Sequence, residues 1–412
     1  MTPLHRTVIE RVGDAHDDRP TCGLVDTCDT ERDRRVRKEG VGLERTLDMT
    51  LRGLLQRLSW PVVIPVLGVV VLAATWGSKP GALVLLIVGA LLAGSVLAAV
   101  HHAEVVAHRV GEPFGSLVLA VAVTVIEVAL IVTLMVTGGS EATTLARDTV
   151  FAAVMITCNG IVGLAVLVGT LRNPTVSFSA AGTATALATV STLATLSLVL
   201  PTFTTSRPGP EFSPPQLAFA SVASLALYGL FVVVQTVRHR DQFSQAVDET
   251  SDIEGQAAHP SDREALISLG LLILALVAVV GLAKIESPAI EGGVTAIGAP
   301  PSAVGVVIAL LVLAPETLAA VRNARRDRVQ TSLNLAFGSA MASIGLTIPS
   351  IAIATIWLEG PLELGLGATQ MVLLAITVVV GGLTVLPGRA TVQEGGVHLA
   401  LFGAFLFLAV FP

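Results

Sequence analysis

Charge is scarce in this chain. Of its 412 residues only 14% are Asp, Glu, Lys or Arg, whereas an ordinary globular domain carries roughly a quarter. A soluble fold of this size is therefore excluded. Aromatic residues are rarer still, at 4% with one tyrosine, Tyr228, which leaves no set of stacking platforms for nucleic-acid bases. The net charge of −6 likewise gives no basic footprint for nucleic acid. The three cysteines, Cys22, Cys28 and Cys158, build no disulfide framework. Cys22 and Cys28 stand near His5 and His16 at a spacing that fits no zinc pattern, and Cys158 lies in an apolar run as a small hydrophobe.

What the chain has instead is apolar length. Hydrophobic residues make up 53% of it, the mean hydropathy is +0.78, and the apolar runs are about 17–25 residues long, enough to span a hydrocarbon core as helices. Backbone polar groups in lipid must be satisfied within the chain, so helices are the expected solution. From Trp60 onward the pattern predicts about eleven spans, at 60–77, 81–108, 113–137, 147–170, 177–204, 215–238, 264–284, 299–322, 329–357, 365–387 and 395–411. The expected fold is an all-α polytopic membrane protein in the plasma (inner) membrane.

Residues 1–57 are polar, with no amphipathic period and no cleavable signal; they read as a disordered cytoplasmic tail, and Met49 is a second candidate start. A long acidic segment, 241–263, divides the spans into an early and a late group. With the tail inside, the inner loops hold Arg109, Arg172, Arg238, Arg240, Arg263, Arg322, Arg325, Arg326, Arg328 and Arg389. The outer loops hold only Lys79, Arg147, Arg207 and Lys284. That bias places the N-terminus and the acidic segment in the cytoplasm.

Two glutamates break the apolar runs. Glu127 sits in G-E-P-F-G-S-L-V-L-A-V-A-V-T-V-I-E-V-A-L-I, Gly111 to Ile131, and Glu316 in V-I-A-L-L-V-L-A-P-E-T-L-A-A, Val307 to Ala320. An ionised carboxylate at bilayer depth costs at least ~2.5–3.5 kcal/mol, so two of them at corresponding places mark a functional site. They fall on the third and eighth spans, five apart, so their helices run in opposite directions. A second match follows each one: F-A-A-V-M-I-T-C-N-G, Phe151 to Gly160, is similar to F-G-S-A-M-A-S-I-G-L, Phe337 to Leu346. One extra helix (58–80) followed by two inverted five-helix repeats (81–240 and 264–412) is the predicted plan, an arrangement typical of secondary transporters.

The stretches H-A-E-V-V-A-H-R-V-G-E-P-F-G-S-L, I-E-V-A-L-I, L-A-P-E and N-L-A-F-G-S resemble the Ca2+/cation antiporter superfamily, in particular the CAX-type cation/proton exchangers and their bacterial ChaA branch. The resemblance covers about residues 60–412. It implies eleven helices, exchange of Ca2+, Na+ or K+ for protons with no cofactor, and essential glutamates at Glu127 and Glu316. Most CAX exchangers carry G-N-A-x-E in both repeats. Here the first reads V-T-V-I-E and the second V-L-A-P-E, so Thr124 and Leu313 stand where the family has Asn. Ca2+ takes six to eight oxygens; with fewer side-chain oxygens available, Na+ and K+ stay open beside it.

A carboxyl group in water-poor surroundings favours its neutral form, and a bound cation favours the carboxylate. One glutamate can thus hold a proton or a cation in turn, which is the basis of antiport. Thr124, Thr157, Asn159, Ser339 and Ser343 are candidates to add oxygens, with helix–helix packing as their alternative role. Pro315 removes a backbone donor beside Glu316 and is expected to break its helix. His101, Glu104 and His108 share one helical face near the inner end of a span. They are expected to serve a gate or entrance, with Glu112 in the following loop, rather than a metal site. The competing readings are a cation channel of the same fold and an intramembrane enzyme. The second lacks D-D-x-x-D, H-E-x-x-H and G-x-S-x-G signatures.

Overall fold

The computed structural model describes residues 59–78, 80–111, 114–137, 143–235, 260–357 and 360–412. The expected tail, most of the acidic segment, and Glu112 lie outside the described residues. Trp60–Pro412 forms one compact unit, and helices dominate it.

Helix α1 is Trp60–Thr75, α2 Ala82–Val110, and α3 Phe114–Thr137. Then come α4 (Leu145–Thr170), α5 (Ala180–Phe203) and α6 (Pro214–Val233). The second group is α7 (Asp262–Ala296), α8 in two halves (Ser302–Val312 and Ala314–Arg325), α9 (Val329–Ala354), α10 (Ala368–Val385) and α11 (Val392–Val410). Every expected span holds a helix. Among the described residues nine helices are long and apolar enough to cross a membrane alone, and the bent pair of α8 makes a tenth. The 16-residue α1 falls short of that length.

Local sequence explains where the helices start. Ser261 and Glu264 form a reciprocal capping box at the head of α7, with Ser261 N donating to Glu264 Oε2 at 2.8 Å. Ser213 with Gln216 and Thr391 with Glu394 do the same for α6 and α11. Such boxes satisfy backbone donors that have no partner inside the helix. One boundary differs from expectation. The seventh span was expected to stop near Lys284, yet α7 runs 35 residues to Ala296. At 1.5 Å per residue that is about 52 Å, longer than a hydrocarbon core of roughly 30 Å. Its last turns carry Lys284, Glu286 and Glu291, beyond the end of the apolar run.

Helices α4 and α9 occupy the centre: 89% and 67% of their apolar windows are buried, against 17% for α11. Phe151, Met155, Phe337 and Met341 fill the core between them. Helices α2 and α7 pack along each other beside this centre, joined by α1 and α3, around Val88, Ile126, Leu130 and Leu282.

The contacts come in inverted pairs. Helix α3 packs on α9 as α8 packs on α4, and α6 packs on α9 as α11 packs on α4. The loops follow the same rule. Strand β1 (Val176–Ser177), after α4, pairs antiparallel with β2 (Arg389–Ala390), before α11, through Val176↔Ala390 and Ser177↔Arg389. The mirror loops, after α9 and before α6, meet through the bridge Glu211↔Glu363. Helices and loops of the two groups therefore pack as inverted pairs.

Long-range bonds join loops assigned to the same side. Arg109 pairs with Asp262, and Arg172 Nη1 donates to Arg325 O at 3.0 Å. On the opposite side Arg147 Nη1 donates to Gly365 O at 3.2 Å.

Candidate ion-binding site

The break in α8 positions the site. Its halves meet at Leu313 with a bend of 49°. Pro315 has no amide hydrogen to return to the preceding turn, so a new helix begins at Ala314 and Glu316 falls in its first turn. A carboxylate there meets the positive end of the helix dipole. The expected break is thus present and sits one turn from the glutamate. Helix α3, which carries Glu127, is continuous.

Both glutamates line one cavity of about 470 Å³ between α2, α3, α6, α8 and α9. They are 5% and 8% exposed, and Glu316 lies within electrostatic reach of Glu127 and Glu104. Ser343 Oγ donates to Glu127 Oε1 at 2.5 Å. Glu316 Oε2 is buried and has no hydrogen-bond partner among the described residues. Two buried carboxylates in one cavity are costly while both are bare; a proton or a cation removes the cost.

Thr124, Ser339, Ser343 and Glu104 also line the cavity. Thr124 donates its hydroxyl hydrogen to Ala120 O at 2.9 Å, which leaves its lone pairs available. Thr157 and Asn159 do not line it, a correction to the expected oxygen set. The Thr157 hydroxyl bonds back to Ala153 O and Val154 O at 2.7 and 3.0 Å. Asn159 donates to Thr377 Oγ1 at 2.9 Å and meets His398 Nδ1 at 3.2 Å, within a wide π turn of α4 at Ile156–Ile161. Its polarity is spent on holding α4 to α10 and α11.

Of the expected entrance group, Glu104 reaches the cavity wall. His101 and His108 flank it within electrostatic reach, with the His101 ring 6.2 Å from that of Trp60. No group of three His, Cys, Asp or Glu side chains among the described residues is placed to hold a metal ion. Sequence reasoning missed Tyr228, Gln235, Thr331 and Asn334, which complete the polar wall. Asn334 opens the N-L-A-F-G-S stretch and was legible there; the α6 residues had no signal beyond being polar at the end of an apolar run.

The cavity is one-sided. Its residues come from the last part of α2, the first of α3, the last of α6, the second half of α8 and the first of α9. All of these lie toward the Arg-rich loops, so the cavity extends from the glutamates toward that side.

The sodium/calcium exchanger protein family matches residues 80–237 and 267–411. The chain belongs to that family. It is a membrane cation antiporter of the Ca2+/cation superfamily and not an enzyme. It is 45% identical over 356 residues to the protein y4hA of Sinorhizobium fredii, covering 86% of this chain and 96% of the relative. It is 35% identical over 350 residues to the sodium-potassium/proton antiporter ChaA of Escherichia coli, covering 84% and 94%. Its fold is similar to that of the H+/Ca2+ exchanger CAX, with a TM-score of 0.63 at 17% identity over 84% of this chain and 86% of the other. The structure of native YfkE gives the same TM-score at 15% identity, over 86% and 99%. Both likenesses bear on the fold alone.

Proposed function

We propose that this exchanger exports Na+ and K+ in return for protons, by alternating access to a site built on Glu127 and Glu316. The single observation that supports this most is that both intramembrane glutamates line one cavity, whose walls lie toward the Arg-rich loops. A cation entering from that side replaces the proton on the carboxyl pair. The neutralised site can then cross to the other side, where protons displace the cation, and a bare pair is held back by its own charge. Thr124 and Leu313 give the cation fewer side-chain oxygens than a dedicated Ca2+ cage uses, which favours the monovalent ions. The relative ChaA is named for sodium, potassium and protons. Ca2+ is the second candidate; a relative from Aphanothece halophytica, 24% identical over 269 residues, is a Ca(2+)/H(+) antiporter.

The arginine bias supports a cytoplasmic N-terminus and acidic segment, with the cavity on the cytoplasmic side of the plasma (inner) membrane. Ser339 and Ser343 add oxygens, and Glu104 with His101 and His108 forms the cytoplasmic entrance. The test is proton-coupled flux in proteoliposomes carrying an internal pH indicator, with Na+, K+ and Ca2+ added in turn. An imposed proton gradient should drive the cation against its own gradient, which a channel cannot do. Glu127→Gln and Glu316→Gln should each abolish exchange while the protein stays folded. Near-normal exchange by either variant removes that residue from the site.

A further inference from the structure

The most buried ion pair among the described residues lies away from the cavity. Asp148, 3% exposed, stands in the first turn of α4, at the end opposite the Arg-rich side. Its Oδ1 accepts from Arg147 Nε at 2.9 Å and Gln370 Nε2 at 3.2 Å, and its Oδ2 from Thr144 Oγ1 at 2.8 Å. Arg147 continues to Gly365 O, and Glu363 N donates to Thr143 O at 3.2 Å. The head of α4 is thereby bonded to the α9–α10 loop and to the first turn of α10.

Beside this cluster the first half of α8 closes on α4. A Cβ added at Gly305 would stand 3.0 Å from Thr149 Oγ1 and 3.1 Å from Thr149 N, so the two backbones are in near contact. The Thr149 hydroxyl is buried with no partner among the described residues. A seam that seals a polar group without a bond costs free energy, as expected of a surface that is wet in another state.

The inverted repeat says which state. The match that pairs Phe151 with Phe337 also pairs Ala152 with Gly338 and Asp148 with Asn334. Gly338 and Asn334 line the open cavity. Exchanging the roles of the repeats, as alternating access does, would put Asp148 and Ala152 on the wall of an outer cavity between α4 and α8.

We propose that Asp148 is the outer gate of this exchanger. Its bonds to Arg147, Thr144 and Gln370 hold the outer half shut while the inner cavity is open. They must break when the outer cavity forms, leaving Asp148 as a carboxylate facing incoming cations. This rests on the alternating-access reading.

The test uses a full-length protein with Cys22, Cys28 and Cys158 replaced by Ser or Ala. Single reporters are then added, Leu335→Cys in the inner cavity and Ala152→Cys at the outer seam. A membrane-impermeant maleimide is applied from each side of oriented vesicles. Asp148→Asn should slow labelling at 335 from the inner side and speed labelling at 152 from the outer side. The ratio of the two rates should change about fivefold, the population shift expected from losing one ordinary bond. Gln370→Ala, which removes the bond to Asp148 and the helix cap on Gly367 N at a half-buried position, should do the same more weakly and decides the matter if Asp148→Asn fails to insert. Unchanged rates, or faster labelling at both reporters, would overturn the gate, because a merely structural pair loosens both halves together. The labelling needs no transport, so failure of the glutamate assignment would show separately, in the flux assay.

Discussion

Glu127 and Glu316 occupy one cavity but differ by a hydroxyl: Ser343 bonds the first, and no described residue bonds Oε2 of the second. In the repeat, the residue matching Ser343 is Thr157, which turns its hydroxyl to its own helix. One glutamate is thus bonded to α9, while Oε2 of the other has no bond from the described residues. A hydrogen bond to a charged group contributes about 1.5–3 kcal/mol, so Ser343→Ala should weaken apparent cation affinity about tenfold or more and leave maximal exchange measurable. Ser343→Thr, which keeps the hydroxyl, should recover much of it. The check is the cation concentration at half-maximal flux; an unchanged value would make Ser343 a packing residue.

At the scale of the element, α8 is the part whose geometry depends on one residue. A proline inside a helix costs about 3 kcal/mol or more, and here the result is the 49° bend that sets Glu316 at the head of a new helix. Pro315→Ala restores a donor and lets the two halves join. Thermal stability should hold or rise while exchange falls at least about tenfold, because the carboxylate loses its helix-terminal position. Stability and flux measured on one preparation separate this from simple misfolding. Normal exchange would mean that the bend only serves packing.

At the scale of the whole molecule, every cavity residue lies between Val100 and Ser343, inside the unit Trp60–Pro412. Residues 1–48 carry neither an apolar face nor a site residue. Their deletion should leave insertion and exchange rates within about twofold, a change smaller than the loss of one ordinary hydrogen bond. A truncated protein that inserts but does not exchange would assign the tail a regulatory role. The same scale holds the asymmetry of the molecule: the cavity lies between α3 and α9, whereas the matching α8 and α4 are in close backbone approach at Gly305 and Thr149.

The sequence by itself determined the membrane class, the positions of the helices, the paired glutamates and the break at Pro315. Lipid makes these features local. A run must be long enough to cross, a charge inside it stands out, and a proline breaks the helix it sits in. The inverted plan was also legible, since opposite direction follows from an odd number of spans. Only the tertiary structure decided which hydroxyls face the ion path. Thr157 and Ser343 are equivalent in the repeat, yet only Ser343 lines the cavity, because the Thr157 hydroxyl turns back to its own helix. The bonds of Asp148 were hidden for a related reason: Asp148 meets Gln370 across 222 residues of chain, a distance over which no local pattern carries information.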